Sequence, residues 1–284
     1  MKVRLECIPC FVRQACEAVR FVTDDQRSRE RILRQVVFRL ANESFEKTPP
    51  SIGGDIHRIV RRLSGESDPY VEIKKDSNEL AMSLMPSLKA RIKSSQDPFE
   101  TAVRLAIAGN IIDSAQGDHI SKEKLKEAIS ECLEQPIRRD AINELREEIG
   151  KASNILYLAD NAGEVFFDRL LIEELDGCRI TFGVRGSPII NDALRDDARM
   201  AGIDTLVEVV DNGSDAPGTV VGECSEEFRS HFAEADLVIA KGQGNYETLS
   251  DERKMMFFLL KAKCPVIAND IGCHEGDMVI IKKG

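Results

Sequence analysis

The sequence predicts an α/β protein, with an all-helical N-terminal domain followed by a mostly parallel sheet covered by helices on both faces. Three observations carry this. Up to about residue 150 the apolar residues recur at helical spacing, whereas from residue 154 short β-branched runs alternate with helical stretches. Those runs lack polar alternation, as strands buried on both faces do. Glycine usage changes at the same point, with 6 in the first 150 residues and 13 after them. The division is therefore a helical domain over 1–150 and an α/β domain over 151–284. With 42% hydrophobic and 31% charged residues in 284, the chain is long enough and apolar enough to bury a sizeable core.

Taken in order, helices are expected at Cys10–Val22 and at Arg27–Asn42, where Ile32, Val36, Val37 and Leu40 share a face. Thr48-Pro49-Pro50-Ser51-Ile52-Gly53-Gly54 reads as a turn before a helix at Asp55–Leu63, and Ser77–Ser94 follows. Asp97-Pro98-Phe99-Glu100 combines an N-cap, a first-turn proline and a closing carboxylate. The helix it starts is apolar nearly all round to about Ala115 and should be buried. Lys122–Glu134 and Pro136–Ile149 complete the helical half. Strands are then expected at Ile155–Ala159, Arg179–Val184, Thr205–Val210, Leu237–Ala240, Pro265–Ala268 and Met278–Lys282. The helices between them fall at Glu164–Leu175, Pro188–Ala201, Thr219–Ala235 and Glu247–Ala262.

Composition removes several classes of function. No apolar stretch approaches the ~20 residues of a membrane helix, the longest clean run being Met255–Leu260. The first residues lack the apolar segment of a secretory signal, so a cytoplasmic protein with reduced thiols is expected. Residues 151–284 hold 14 Lys and Arg against 24 Asp and Glu, which accounts for the whole net charge of −10. Such a half repels phosphate backbones, so nucleic acid is not an expected partner. It suits a protein that holds divalent cations, or simply a solvated acidic surface.

In an open parallel sheet ligands bind beyond the carboxyl ends of the strands. There the sequence places Asp160-Asn161-Ala162-Gly163-Glu164, Gly183-Val184-Arg185-Gly186, Asp211-Asn212-Gly213, Lys241-Gly242-Gln243-Gly244-Asn245 and Asn269-Asp270. Asp160 and Asn161 are adjacent oxygen donors suited to a hard cation, and Asn191-Asp192 offers a third ligand. Lys241, with Gly242 and Gly244 opening a helix, offers an ammonium and backbone N–H groups to a phosphate. A turn-and-cap role explains Asp160-Asn161 alone, but not its pairing with a lysine–glycine loop at another strand end. Asn110 and Asp113, three apart on the greasy 97–115 helix, are either a satisfied buried network or the part of that helix that closes the cleft. There is no G-x-G-x-x-G after the first strand and no G-x-x-x-x-G-K-[ST], which disfavours dinucleotide binding and a P-loop NTPase. An aspartyl-phosphate phosphatase would want a second acid where Ala162 stands.

Ala108-Gly109-Asn110-Ile111-Ile112-Asp113, Asp160-Asn161-Ala162-Gly163-Glu164 and Lys241-Gly242-Gln243-Gly244-Asn245-Tyr246-Glu247 follow one another as in the metal-dependent damage-control phosphatases. The chain resembles that family over essentially its whole length, and Cys7-x-x-Cys10 is similar to its mainly prokaryotic branch. The resemblance implies a Rossmann-like three-layer α/β/α domain and hydrolysis of phosphate esters of small metabolites, among them sugar phosphates, phosphorylated cofactors and their damaged forms. It implies Mn, Mg, Co or Ni held by Asp160, Asn161 and Asp192, and Lys241 facing the substrate phosphate. It makes Asp160, Asp192 and Lys241 the catalytic residues. The polar pair Asn110 and Asp113, with Glu164, Arg185 and Gly242, would contact substrate.

Two other classes stay open on sequence alone: a non-catalytic module that binds a phosphorylated metabolite, and a methyltransferase, which the lysine–glycine loop fits poorly. Cys7-Ile8-Pro9-Cys10 follows no strand and so departs from a thioredoxin-like unit. With Cys16 it supplies three of the four ligands of a structural zinc. A packed or adventitiously oxidised pair is the leading reading, and a second metal site the next.

Overall fold

The computed structural model describes residues 1–110 and 122–284. Helices α1 (Cys7–Val22), α2 (Gln26–Ala41), α3 (Pro49–Ser64), α4 (Val71–Ser94), α5 (Pro98–Ala108), α6 (Lys122–Glu134) and α7 (Arg139–Lys151) precede the first strand. Strands β1 (Asn154–Leu158), β2 (Arg179–Val184), β3 (Glu208–Asp211), β4 (Leu237–Lys241), β5 (Met256–Lys261) and β6 (Met278–Lys283) form one sheet in the order β3-β2-β1-β4-β5-β6. The first five are parallel, and β6 runs antiparallel against β5. The helices interleaved with them are α8 (Glu164–Ile172), α9 (Arg195–Met200), α10 (Glu226–Glu234), α11 (Gly242–Leu249) and α12 (Pro265–Ile271).

Successive strand residues face opposite sides, and the core divides accordingly. Ile155, Tyr157, Phe182, Ile239, Phe257 and Leu259 pack against α4, α5, α7 and α8. Leu156, Leu158, Val238, Ala240, Phe258 and Leu260 pack against Phe228 and Phe232 of α10, Tyr246 and Leu249 of α11, and Ile267 of α12. This is the three-layer α/β/α arrangement. The change in composition at residue 150 is not a change in core, because α4 to α7 share the sheet's apolar cluster. Helices α1 to α3 hold a separate core around Phe11, Ile52 and Ile56.

Several expected elements are corrected. Glu247–Ala262 is not one helix: α11 ends at Leu249, and the apolar run Met256–Leu260 is β5, buried on both faces. An all-apolar run of five residues has no period from which helix and strand can be told apart. Pro265–Ala268 is not a strand but the first turn of α12, with Pro265 at the position where its missing N–H costs nothing. Thr205–Val210 resolves into a 3-10 turn at Ile203–Thr205 and β3, and Pro188–Ala201 is helical only over α9. Thr219–Ala235 reduces to a 3-10 turn at Val221–Glu223 and to α10, which starts at the Ser225 cap. The segment 48–54 is no free turn but the start of α3, whose Thr48 hydroxyl accepts from Ser51 N. Gly53 and Gly54 lie inside α3 facing the 216–217 segment, where a Cβ would meet Pro217 at 3.4 Å and Ala216 at 3.5 Å, ordinary contact distances.

Those contacts position the α1–α3 unit. Arg58 and Arg61 of α3 both pair with Asp215 in the loop after β3, and Arg61 donates to Pro188 O in the loop after β2. The amino terminus donates to Glu247 O of α11 at 2.6 Å. The unit therefore sits at the carboxyl end of the sheet.

Candidate active site

The strand order reverses direction between β1 and β4, and the polar residues concentrate beyond the ends of those two strands. After β1 the chain runs through Asp160 and Asn161 and turns into α8 at Gly163, whose φ of 77° is open to glycine without strain. Asn78 of α4 fastens this turn, accepting from Gly163 N at 2.7 Å while donating to Asp197 at 2.6 Å. The loop after β2 zips onto it: Asn161 and Asp192 form an antiparallel bridge, Ala162 N donates to Asn191 O, and Ala193 N donates to Asp160 O, both at 2.8 Å. Two separate loops are thereby held as one rigid edge carrying Asp160, Asn161 and Asp192.

Each side chain has a defined support. The Asn161 amide nitrogen donates to Asp160 Oδ2 at 3.1 Å and to Glu164 Oε2 at 3.4 Å. Asp192 Oδ2 accepts from Arg185 Nε at 2.7 Å. Arg185 Nη1 reaches Thr219 Oγ1, which donates to Asn245 Oδ1, and the Asn245 amide returns to Ala159 O and Lys241 O. This chain of bonds ties the ends of β1, β2 and β4 together. Arg185 Nη2, wholly buried, has no hydrogen-bond partner.

At the end of β4 the Lys241 ammonium lies 2.7 Å from Asp168 Oδ1 and 3.5 Å from Glu164 Oε1, with no solvent exposure. Tyr157 donates to the same Asp168 oxygen at 2.8 Å. Gly242 follows at φ +78°, and a Cβ there would sit 1.8 Å from Asp160 Oδ2, so only glycine lets the lysine loop close onto that carboxylate. At the end of α5, Gly109 lies close against Glu164 and Phe167, and the next residue, Asn110, is buried. Asp113 lies outside the described residues.

The electrostatics of the edge are unbalanced. Asp160, Glu164, Asp168 and Asp192 are four buried carboxyl groups, and Arg185 and Lys241 are the two buried cations beside them. Burial raises Asp160 well above the usual carboxylate range, and the neighbouring charges of Glu164 and Asp192 raise it further. Burial also raises Asp192, with Arg185 pulling the other way. Asp168 is pushed up to about 6 by burial, against the pull of Lys241. For Lys241 burial opposes the charged form, but Asp168 and Glu164 overcome it and hold the ammonium protonated. Lys263, two residues beyond β5, adds a positive charge that both Asp160 and Asp192 feel. Among the described residues no cluster of three His, Cys, Asp or Glu side chains is placed to hold a metal. The oxygen set here is two carboxylates and an amide, a donor chemistry that fits a hard divalent cation.

Reading the sequence alone does not reach Asp168, Tyr157, Asn78, Thr219 or Lys263. Asp168 leaves a signal, as a carboxylate four residues after Glu164, and therefore on the same helix face, in α8, whose only other charged residue is Arg169. Lys263 is hidden by the mistaken helix over 247–262.

Residues 3–279 match the family described as the damage-control phosphatase ARMT1-like domain. The chain belongs to the damage-control phosphatase family. A damage-control phosphatase of Pyrococcus horikoshii is 38% identical over 287 residues, covering 99% of this chain and 98% of its own. Another, of Archaeoglobus fulgidus, is 37% identical and covers 98% of each. The crystal structure of a DUF89 family protein from Pyrococcus horikoshii matches the fold with a TM-score of 0.91 at 36% identity, over the full length of both chains. Among the described residues no helix is long and apolar enough to cross a membrane.

Proposed function

We propose that this member of the family is a divalent-metal-dependent phosphomonoesterase acting on small phosphorylated metabolites, including damaged forms of them. The observation that carries the reading is the charge deficit at the sheet edge: four buried carboxyl groups against two buried cations, which a single dication would neutralise. Asp160, Asn161 and Asp192 would hold it, with Mn, Mg, Co or Ni as candidates. When bound, such an ion supplies Lewis acidity toward a phosphoryl oxygen and toward water. The protein's own groups supply the rest. Arg185, through its bond to Asp192, fixes the direction of that carboxylate. Lys241 donates to Asp168 and lies 3.5 Å from Glu164, and a further N–H of its ammonium would serve a phosphoryl oxygen. The first N–H groups of α11, in Gly242-Gln243-Gly244, offer further donors to the equatorial oxygens. Asn110 and Asp113, from the helical half, are candidate substrate contacts with Glu164, and the shape set by α1–α3 would choose among phosphate esters.

The test is release of phosphate from p-nitrophenyl phosphate by chelator-treated protein, alone and with each of the four metals. Activity is expected only with metal, and Asp160→Asn should lower it by roughly 100-fold or more while leaving the protein folded. Undiminished turnover by the chelated protein, or by Asp160→Asn, rejects the reading. Ligand-dependent thermal stabilisation without phosphate release would instead mark a binding module.

A further inference from the structure

The Cys7-Ile8-Pro9-Cys10 pair opens α1, in the helical unit that sits at the carboxyl edge of the sheet. The two thiols differ in their surroundings. Cys10 is exposed, and the Arg13 guanidinium donates to its sulfur at 3.6 Å. Cys7 is half-buried, its thiol is raised mainly by that burial, and the charges of Glu247, Cys264 and Cys10 raise it further. Cys264 caps α12, and its sulfur accepts from Gln243 Nε2 at 3.6 Å. Gln243 stands between the two glycines of the lysine loop; it also donates to Glu247 at 3.0 Å and accepts from Lys263 N at 3.2 Å. Cys16 does not belong to this group. Nine residues beyond Cys7 on the same helix, it points to the opposite side and lines the groove between α1 and α2.

We infer that Cys10 and Cys7 form a redox-active dithiol that closes to an intramolecular disulfide in the presence of low-molecular-weight disulfides, and that its state is transmitted to the lysine loop through Cys264 and Gln243. The roles follow from exposure. The Cys10 thiolate attacks the external disulfide, forming a mixed disulfide and releasing one thiol, with Arg13 beside the charged sulfur. Cys7 then loses its proton, attacks the Cys10 sulfur and releases the second thiol. Two electrons pass from the protein dithiol to the external disulfide, which leaves as two thiols.

The helix geometry permits closure at small cost. Cβ atoms three apart on a helix are about 5–6 Å from one another, and a disulfide wants about 4 Å. The first turn of α1 must tighten, and it is lightly held: Glu6 makes no side-chain cap, and Cys7 N and Ile8 N bond only three residues back, to Arg4 O and Leu5 O. Tightening that turn shifts the Cys7 sulfur and with it the charge that Cys264 and Glu247, the partners of Gln243, experience.

The experiment treats the reduced full-length protein with glutathione disulfide, blocks remaining thiols with N-ethylmaleimide, and maps the products by mass spectrometry. Amide exchange over residues 241–249 is followed in parallel, so the result does not depend on any phosphatase assay. The expected product has lost two hydrogens within the peptide carrying Cys7 and Cys10 and reverts with dithiothreitol. Arg13→Gln should slow its formation severalfold, Cys10→Ser should abolish it, and Cys16→Ser should leave it unchanged. Exchange over 241–249 should rise severalfold on oxidation in the wild type but not in Cys10→Ser. A mixed disulfide at Cys10 that Cys7 never resolves, a Cys7–Cys264 bond, or exchange indifferent to oxidation overturns the inference.

Discussion

His57 is a buried imidazole of α3 whose Nε2 has no hydrogen-bond partner. Its ring meets Tyr70 edge-on at 5.7 Å. Burial, helped by the nearby Arg61 charge, lowers its pKa to about 3. An unfolded histidine titrates near 6.5, so the unfolded chain binds the extra proton first. Stability from this group is therefore complete above pH 6.5 and is lost as pH falls from there toward 3. Between pH 7.5 and 5 the loss attributable to His57 is about 2 kcal/mol. His57→Leu removes the proton site without breaking a bond at Nε2. Denaturant unfolding at the two pH values should show a smaller difference in the variant by about that amount; equal differences would mean that the imidazole takes up its proton without unfolding the chain.

At the scale of elements, the lysine loop and its helix depend on one backbone conformation. Gly242 begins α11 at positive φ with the Asp160 carboxylate in the place of a Cβ. Gly242→Ala must both strain the backbone and push the two loops apart, and a destabilisation above about 1 kcal/mol is expected. The same displacement should weaken Mn²⁺ binding, so denaturant unfolding and metal titration are read together. Wild-type values for both would show that the edge can relax around a methyl group. These elements also show which parts of the fold a sequence discloses. The strand ends after β1 and β4 are legible because Asp160, Asn161 and Lys241 interrupt apolar runs, and polar residues at such points need a reason. Strand β5 is not, since Met256–Leu260 has both faces buried and no polar residue to mark its period. Gly53 and Gly54 mislead in the opposite sense, since they suggest a turn and lie inside α3. Asp168, Tyr157 and Asn78 act through partners 73, 11 and 85 residues away in the chain, separations that no local pattern encodes.

For the whole molecule, the decisive relation is that between the α1–α3 unit and the sheet edge. The unit has its own core and reaches the loops after β2 and β3 chiefly through polar contacts, with Asp215 accepting from both Arg58 and Arg61. Arg58 also pairs with Glu223 and Asp55, so it keeps partners when Asp215 is removed, whereas Arg61 keeps only its bond to Pro188 O among the contacts described above. These groups are partly solvated, which caps the cost of Asp215→Ala at roughly 1–2 kcal/mol. Its larger effect should be on recognition. If the unit shapes the substrate cleft while Asp160, Asp192 and Lys241 act at the phosphate, loosening it raises KM severalfold and leaves kcat nearly unchanged. Steady-state kinetics on a metabolite phosphate, compared with p-nitrophenyl phosphate, checks this. A fall in kcat at constant KM would instead place the unit's influence on the phosphate-binding edge itself, through α11 and the amino terminus docked on Glu247.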